Sequence, residues 1–213
     1  MNGFAAVLFD MDGTLIYSKG VISRCLNQTL AHYGFEPFNP NEIYNLVGKP
    51  LREVLAMKTP DWQPMVAHYR QLYLDTYLDG THLHNGIVAI LSMLRDEGKK
   101  IGIVTLKQTQ VAQEVLKGLN IHEFVDSVEG DDDASPLKPS PLQIVRVCQA
   151  MDVIPEESVM IGDSTMDIAA GKGARCITIG VLWGSSSMDA LSDAEADYLA
   201  RNTDELSEIL RML

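Results

Sequence analysis

Phe4-Ala5-Ala6-Val7-Leu8-Phe9-Asp10-Met11-Asp12-Gly13-Thr14-Leu15 sets the reading of the whole chain. Six apolar residues run straight into two carboxylates spaced two apart, followed by a glycine. A short apolar run ended by turn chemistry reads as a strand buried on both faces, as in a parallel sheet. Along an extended chain, side chains at i and i+2 point the same way. If the chain stays extended past Phe9, Asp10 and Asp12 project into one space at the carboxyl end of the strand. Holding two like charges there is unfavourable unless a cation intervenes, so the arrangement suggests metal-assisted chemistry rather than a folding role.

Outward from this strand, Val21, Ile22, Cys25, Leu26, Thr29, Leu30 and Tyr33 form a helical stripe that Gly34 ends. Two short helical pieces follow, near residues 41–47 and 50–57, separated by Gly48-Lys49-Pro50. Asp61 suits the N-cap of a longer helix carrying Trp62, Met65, Val66, Tyr69, Leu72 and Tyr73 on one face. Residues 17–84 therefore read as all-helical. From Gly86 the pattern alternates between helix and strand. Strands are expected at residues 100–104, 124–128, 159–161 and 176–179, with a weak one near Tyr198. Ser140-Pro141 starts one of the intervening helices, and Leu206, Ile209, Leu210 and Leu213 mark the last. Such alternation predicts an α/β fold with a doubly wound, mostly parallel sheet. The expected division is a core of residues 1–16 and 85–213 with an inserted helical domain at 17–84.

The 213 residues suffice for one α/β domain with an insertion, and a chain of this size buries about 70% of its unfolded surface without covalent staples. The balance of 17 Lys+Arg against 29 Asp+Glu, a net −12, argues against nucleic acid or an anionic membrane as main partner. Cys25, Cys148 and Cys176 are scattered and fit no metal spacing, which suits a reducing cytosol. No positive charge precedes Lys19 and no apolar run approaches ~20 residues, so neither a signal peptide nor a membrane span is expected.

In doubly wound sheets, ligands bind beyond the carboxyl ends of the strands. Three predicted strands end there in polar residues: Asp10 and Asp12, Thr105, and Asp163. Between the last two, Leu137-Lys138-Pro139-Ser140-Pro141 holds a lysine in a proline-stiffened loop at a helix start. Carboxylates, a hydroxyl, a lysine and a helix N-terminus suit a divalent metal and a phosphate. These four segments, Phe9-Asp10-Met11-Asp12-Gly13-Thr14-Leu15, Val104-Thr105, Lys138-Pro139-Ser140-Pro141 and Gly162-Asp163-Ser164-Thr165-Met166-Asp167, resemble the ordered motifs of the haloacid dehalogenase-like hydrolase superfamily. The helical insertion resembles that family's small cap.

The resemblance implies a Mg²⁺-dependent phosphatase acting on a small phosphorylated metabolite. Asp10 would be the nucleophile that forms an aspartyl-phosphate, and Asp12 the proton carrier. Mg²⁺ would sit between Asp10, Asp163 and the backbone carbonyl of Asp12. Lys138, Thr105 and the backbone N–H of Leu106 would hold the phosphoryl group, and Asp167 would support the metal or orient Lys138. Gly13 would let the chain turn close to the anion. Lys49 and Arg52, in a segment that resembles the substrate-selecting loop of relatives, would reach the substrate. The stretches 47–51 and 180–184 are similar to phosphoglycolate phosphatase- and pyrophosphatase-type members. The chain departs from the family in having Leu106 where asparagine is common and no proline before Gly86. A β-phosphoglucomutase-like mutase shares all four motifs, and a non-catalytic binding protein on the same fold is the alternative from another class. Asp131, Asp132 and Asp133 read as solvated charge, His82 and His84 as hinge residues rather than a zinc site, and Trp183 as core packing. The sequence gives no indication of oligomeric state.

Overall fold

Val7 and Phe9 face one side of β1 (Ala6–Phe9), Ala6 and Leu8 the other, and all four are fully buried. A strand with no polar face has to lie inside a sheet covered on both sides. The computed structural model of the chain describes residues 3–46, 48–132 and 136–213, with the backbone alone at Tyr44 and Asn45. Within it, β1 occupies the middle of a six-stranded, wholly parallel sheet. On one side it pairs with β4 (Lys100–Val104), which pairs with β5 (Ser127–Glu129). On the other it pairs with β6 (Ser158–Gly162), followed by β7 (Ile177–Val181) and β8 (Tyr198–Ala200).

The chain thus winds outward from β1 in one direction, returns across it and winds out in the other. The point where the winding reverses is where loops on the carboxyl side diverge and leave a crevice. Register sets the level of that crevice: Phe9 lies opposite Ile103 on one neighbour and Ile161 on the other. Asp10, Thr105 and Asp163 therefore leave three adjacent strands at nearly the same height. Helices α5 (Ile87–Asp96), α6 (Thr109–Gly118) and α10 (Thr203–Met212) pack with Val7, Phe9, Ile103 and Ile161 on one face. Helices α7 (Leu142–Ala150) and α8 (Thr165–Gly173) cover Ala6, Leu8 and Met160 on the other.

Between β1 and α5 the chain departs from the sheet into α1 (Lys19–His32), α2 (Pro40–Leu46), α3 (Leu51–Ala56) and α4 (Gln63–Thr76). Val21, Cys25 and Leu26 of α1 and Met65, Tyr69 and Tyr73 of α4 are buried in one apolar cluster. The helical character expected of residues 17–84 fails at both ends. There β2 (Ile16–Tyr17) and β3 (His82–Leu83) pair antiparallel and tie the entry and exit of the insertion together. Two residues are too few to show an alternating pattern, which is why these strands were not visible in the sequence.

Other expectations also need correction. Asp61 does not cap α4; Trp62 occupies the N-cap, and the Asp61 N–H instead donates to Thr59 Oγ1 at 3.2 Å. The strand expected at 124–128 begins at Ser127, because a 3-10 turn at His122–Phe124 takes up the first residues. A short helix, α9 (Met188–Asp193), capped by Ser187, lies in a stretch that carries only one buried apolar residue, Leu191. Val47 and Asp133, which belong to two of the sequence expectations, lie outside the described residues.

Candidate active site

Lys138 is the hub of the crevice. Its Nζ lies 2.6 Å from Asp10 Oδ1, 2.6 Å from Asp167 Oδ1 and 2.8 Å from the Val104 carbonyl, so all three ammonium hydrogens are engaged. Burial alone would lower the lysine's pKa, but the carboxylates of Asp10 and Asp167 outweigh it and hold the ammonium charged well above its ordinary range. Gln143 fixes the loop that delivers the lysine. Its Oε1 accepts from the Lys138 N–H at 3.2 Å, while its Nε2 donates to the carbonyls of Thr105 and Gly130, each at 3.1 Å. Gln143 was missed in the sequence, although a signal was present: it is a polar residue on the buried face of α7, one turn before Val147.

The acids are positioned by equally local devices. Ser164 caps α8, and the pair Ser164–Asp167 forms a reciprocal capping box, which leaves Asp167 Oδ1 for Lys138. Asp163 precedes that cap and accepts from the Ser185 N–H at 2.6 Å. Two glycines close on Asp163: a Cβ at Gly13 would lie 2.5 Å from its Oδ2, and one at Gly184 2.2 Å from its Cβ. Gly13 also has φ +89°, a conformation that disfavours any other residue. Burial, then the charge of Asp167, pushes the Asp163 carboxyl up to about 6. Burial also raises Asp10 well above the usual carboxylate range, with Lys138 opposing and Asp167 and Asp163 reinforcing the shift.

Asp10, Asp163 and Asp167 are all buried, and each can place an oxygen within 4.8 Å of the others. Three carboxylates against one ammonium leave two formal negative charges in a buried site. Hard oxygen donors with that excess fit a divalent cation such as Mg²⁺. The crowding thus arises among Asp10, Asp163 and Asp167, not between Asp10 and Asp12 as the sequence suggested. The chain turns at Met11, whose carbonyl accepts from Leu15 and Ile16, so the extended geometry ends with Asp10.

Asp12 still lines the same cavity of about 90 Å³ as Asp10, Thr105, Lys138 and Asp163. Its own partners are Ser18, whose hydroxyl donates to Oδ1 at 2.5 Å, and Lys107, whose Nζ lies 3.0 Å from Oδ2. Lys107 was missed. Its position two residues past Thr105, at the same strand edge, was the available signal. Burial would lower its pKa, yet Asp12 together with Tyr73 and Tyr69 outweighs burial and holds the ammonium charged; the same Nζ lies 4.2 Å from the Tyr73 ring centre. Thr105 is buried, with Oγ1 accepting from the Lys107 N–H at 3.2 Å, and Leu106 beside it lines the cavity.

Several peripheral expectations come out differently. Arg52 pairs with Asp131 at 3.1 Å and lines neither this cavity nor the adjoining one. Asp131 is therefore not solvated; it is buried, and Asp132 accepts from the Thr109 N–H at the start of α6. Lys49 is exposed and borders the adjoining cavity. Trp183 packs on the core but also borders this cavity, with Nε1 donating to the Thr14 carbonyl at 3.1 Å. His84 lines that cavity beside Trp183, while His82 packs on Tyr17, and neither belongs to a three-ligand cluster among the described residues.

A buried Lys–Asp–Asp hub at the switch point of a parallel sheet, with a helical insertion after β1, defines a class. The sequence pattern of the haloacid dehalogenase-like hydrolases matches residues 7–181, and the chain belongs to that family. It is 29% identical over 208 residues to pyrophosphatase PpaX of Bacillus mycoides, covering 97% of this chain and 95% of that protein. It is 31% identical over 180 residues to phosphoglycolate phosphatase of Aquifex aeolicus, covering 84% of each chain. A haloacid dehalogenase-like hydrolase from Streptococcus pneumoniae superposes with a TM-score of 0.86 at 26% identity, covering 97% of this chain and 98% of that one. These relatives place the chain among the phosphatases of the family. No helix among the described residues is long and apolar enough to cross a membrane.

Proposed function

We propose that the chain hydrolyses a small phosphorylated metabolite through a phosphorylated Asp10. The observation that carries this reading is the Lys138 hub, which holds Asp10 at the strand edge facing a cavity that Asp12 also lines. With Lys138 on Oδ1, the second oxygen of Asp10 attacks phosphorus and the bond to the leaving oxygen breaks. Asp12 donates a proton to that oxygen, then takes one from the water that attacks the phosphoryl group and releases Asp10. Lys138 trades a contact within the hub for a phosphoryl oxygen, and Thr105 with the Leu106 N–H binds the others, stabilising charge where it develops.

Asp10, Asp163 and the backbone carbonyl of Asp12 would hold Mg²⁺, with Asp167 in support. When bound, the ion neutralises the excess carboxylate charge and that of the phosphate. Residues 17–84 act as a cap over the cavity and exclude water while the leaving group departs. The three buried, unpaired cysteines fit a cytoplasmic enzyme. The test is release of inorganic phosphate from a panel of phosphorylated metabolites with Mg²⁺, beginning with 2-phosphoglycolate and pyrophosphate, the substrates in the relatives' names. Asp10-dependent release from at least one member is expected; none from any would overturn the reading.

A further inference from the structure

Three tyrosines stand one turn apart on the insertion: Tyr69 and Tyr73 on α4, and Tyr77 at the start of the 3-10 turn that continues it. Their rings form a column of nearly parallel planes, with centres 6.0 Å apart from Tyr69 to Tyr73 and 6.2 Å from Tyr73 to Tyr77. One end of the column is docked on the core. The Tyr77 hydroxyl donates to the Glu114 carbonyl of α6 at 3.1 Å, and the missing side chain of Gly118 leaves room for it.

The middle ring meets a charge. Lys107 Nζ lies 4.2 Å from the centre of the Tyr73 ring and 3.0 Å from Asp12 Oδ2, so one ammonium joins the insertion to Asp12. Tyr73, Lys107 and Asp12 all border the second cavity, which adjoins the first. The Ser18 hydroxyl holds the other oxygen of Asp12. The carboxylate is therefore fixed at both oxygens, and one of the two holds depends on where Lys107 is kept. An ammonium withdrawn from water gains more from a ring face than an exposed one does. The Tyr73 hydroxyl has no part in this: it is buried and makes no hydrogen bond of ordinary geometry. What Tyr73 offers is the face of its ring.

We infer that Tyr73 is a positioning residue for the reaction: its ring keeps the Lys107 ammonium against Asp12, so the seating of the insertion sets the aim of the proton carrier. This role rests on the phosphatase reading, in which Asp12 serves the leaving oxygen, and extends it to a residue of the insertion that acts through Lys107.

The test is kcat/KM with Mg²⁺ for phenyl phosphate, whose leaving oxygen needs a proton, and for p-nitrophenyl phosphate, whose leaving group departs as a stable anion. Tyr73→Leu is expected to lower the phenyl phosphate value about tenfold and the p-nitrophenyl phosphate value clearly less. Tyr73→Phe keeps the ring and should retain most of both. The double variant Tyr73→Leu/Lys107→Met should fall no further than Lys107→Met alone, because the two side chains act as one unit. Equal losses on the two substrates, or losses that multiply in the double variant, overturn the inference and leave the phosphatase reading standing. If Tyr73→Leu does not fold, Tyr73→Phe with one, two or three ring fluorines decides. Fluorine draws charge from the ring face at nearly constant shape, so the phenyl phosphate value should fall stepwise, and a flat series overturns the inference. Absence of Asp10-dependent turnover of either substrate, judged against Asp10→Asn, overturns both readings.

Discussion

Lys138→Met removes the hub and leaves a chain of similar length and shape. In the wild type one ammonium donates bonds of 2.6, 2.6 and 2.8 Å to Asp10, Asp167 and the Val104 carbonyl. The substitution leaves two buried carboxylates facing one another, with 7% and 1% of their residue surface exposed. Removing one partner of a buried pair typically costs about 3–5 kcal/mol. For a chain of this size that corresponds to a fall in Tm of about 6–20 °C. The cost should shrink in acid, because protonating Asp10, whose pKa burial already raises above the usual carboxylate range, removes the repulsion that the substitution exposes. Urea unfolding of metal-free wild type and variant at pH 7.5 and pH 5 measures both parts. Phosphatase activity at pH 7.5 should fall by about 10²–10³, the usual effect of losing one donor to a developing oxyanion. A destabilisation below about 1 kcal/mol at pH 7.5, or one equally large at both pH values, would refute the claim that Lys138 compensates two buried charges.

Gly184→Ala would place a Cβ 2.2 Å from that of Asp163, and displacing this carboxylate by about 1 Å should lower kcat about 10²-fold. Calorimetric titration should show weaker Mg²⁺ binding in the same variant; unchanged affinity contradicts the placement of Asp163 beside the ion. The raised Asp163 pKa, about 6 against an ordinary 3.8, means that the native state binds more protons than the unfolded state between those values. Stability of the metal-free protein therefore falls as pH rises through that window. Asp163 contributes about 3 kcal/mol to the fall, measured as the difference between wild type and Asp163→Asn from pH 4 to pH 7. A difference that does not change with pH would contradict the shift, and Mg²⁺ should restore the loss at pH 7. Lys107→Met should lower kcat about tenfold with little change in KM, because Asp12 loses the ammonium 3.0 Å away that fixes its position, and Lys107→Arg should recover part of it. Steady-state kinetics that show a rise in KM alone would assign Lys107 to substrate binding instead.

The parallel sheet was legible because its strands are buried on both faces and so read as continuous apolar runs: residues 6–9, 101–104 and 159–161 leave little choice of structure. Asp10, Thr105 and Asp163 were legible because polar residues terminate those runs and the parallel register brings the ends to one level, and Lys138 because it sits in a proline-stiffened loop at a helix start. What stayed hidden depends on contacts between distant segments. β2 and β3 exist through pairing with each other across the insertion, not through a pattern of their own. Asp131 looks solvated in an acidic run, whereas Arg52, 79 residues away, pairs with it and helps make its burial tolerable. Asp12 stands apart from the buried acid cluster because the turn at Met11 redirects the chain toward Lys107, which extended-strand geometry does not anticipate. The second cavity is a property of the packing of α1 and α4 over α6, which no single stretch of sequence encodes.

The central claim is that Asp10 carries the phosphoryl group. It is tested most directly by acid-quenching the enzyme during turnover of p-nitrophenyl phosphate with Mg²⁺ and mapping the phosphorylated peptide by mass spectrometry, in wild type and Asp10→Asn. One phosphoryl group on Asp10 in the wild type, with neither modification nor turnover in the variant, is the predicted result. Turnover that survives in Asp10→Asn, or a phosphoryl group on any other residue, would contradict it.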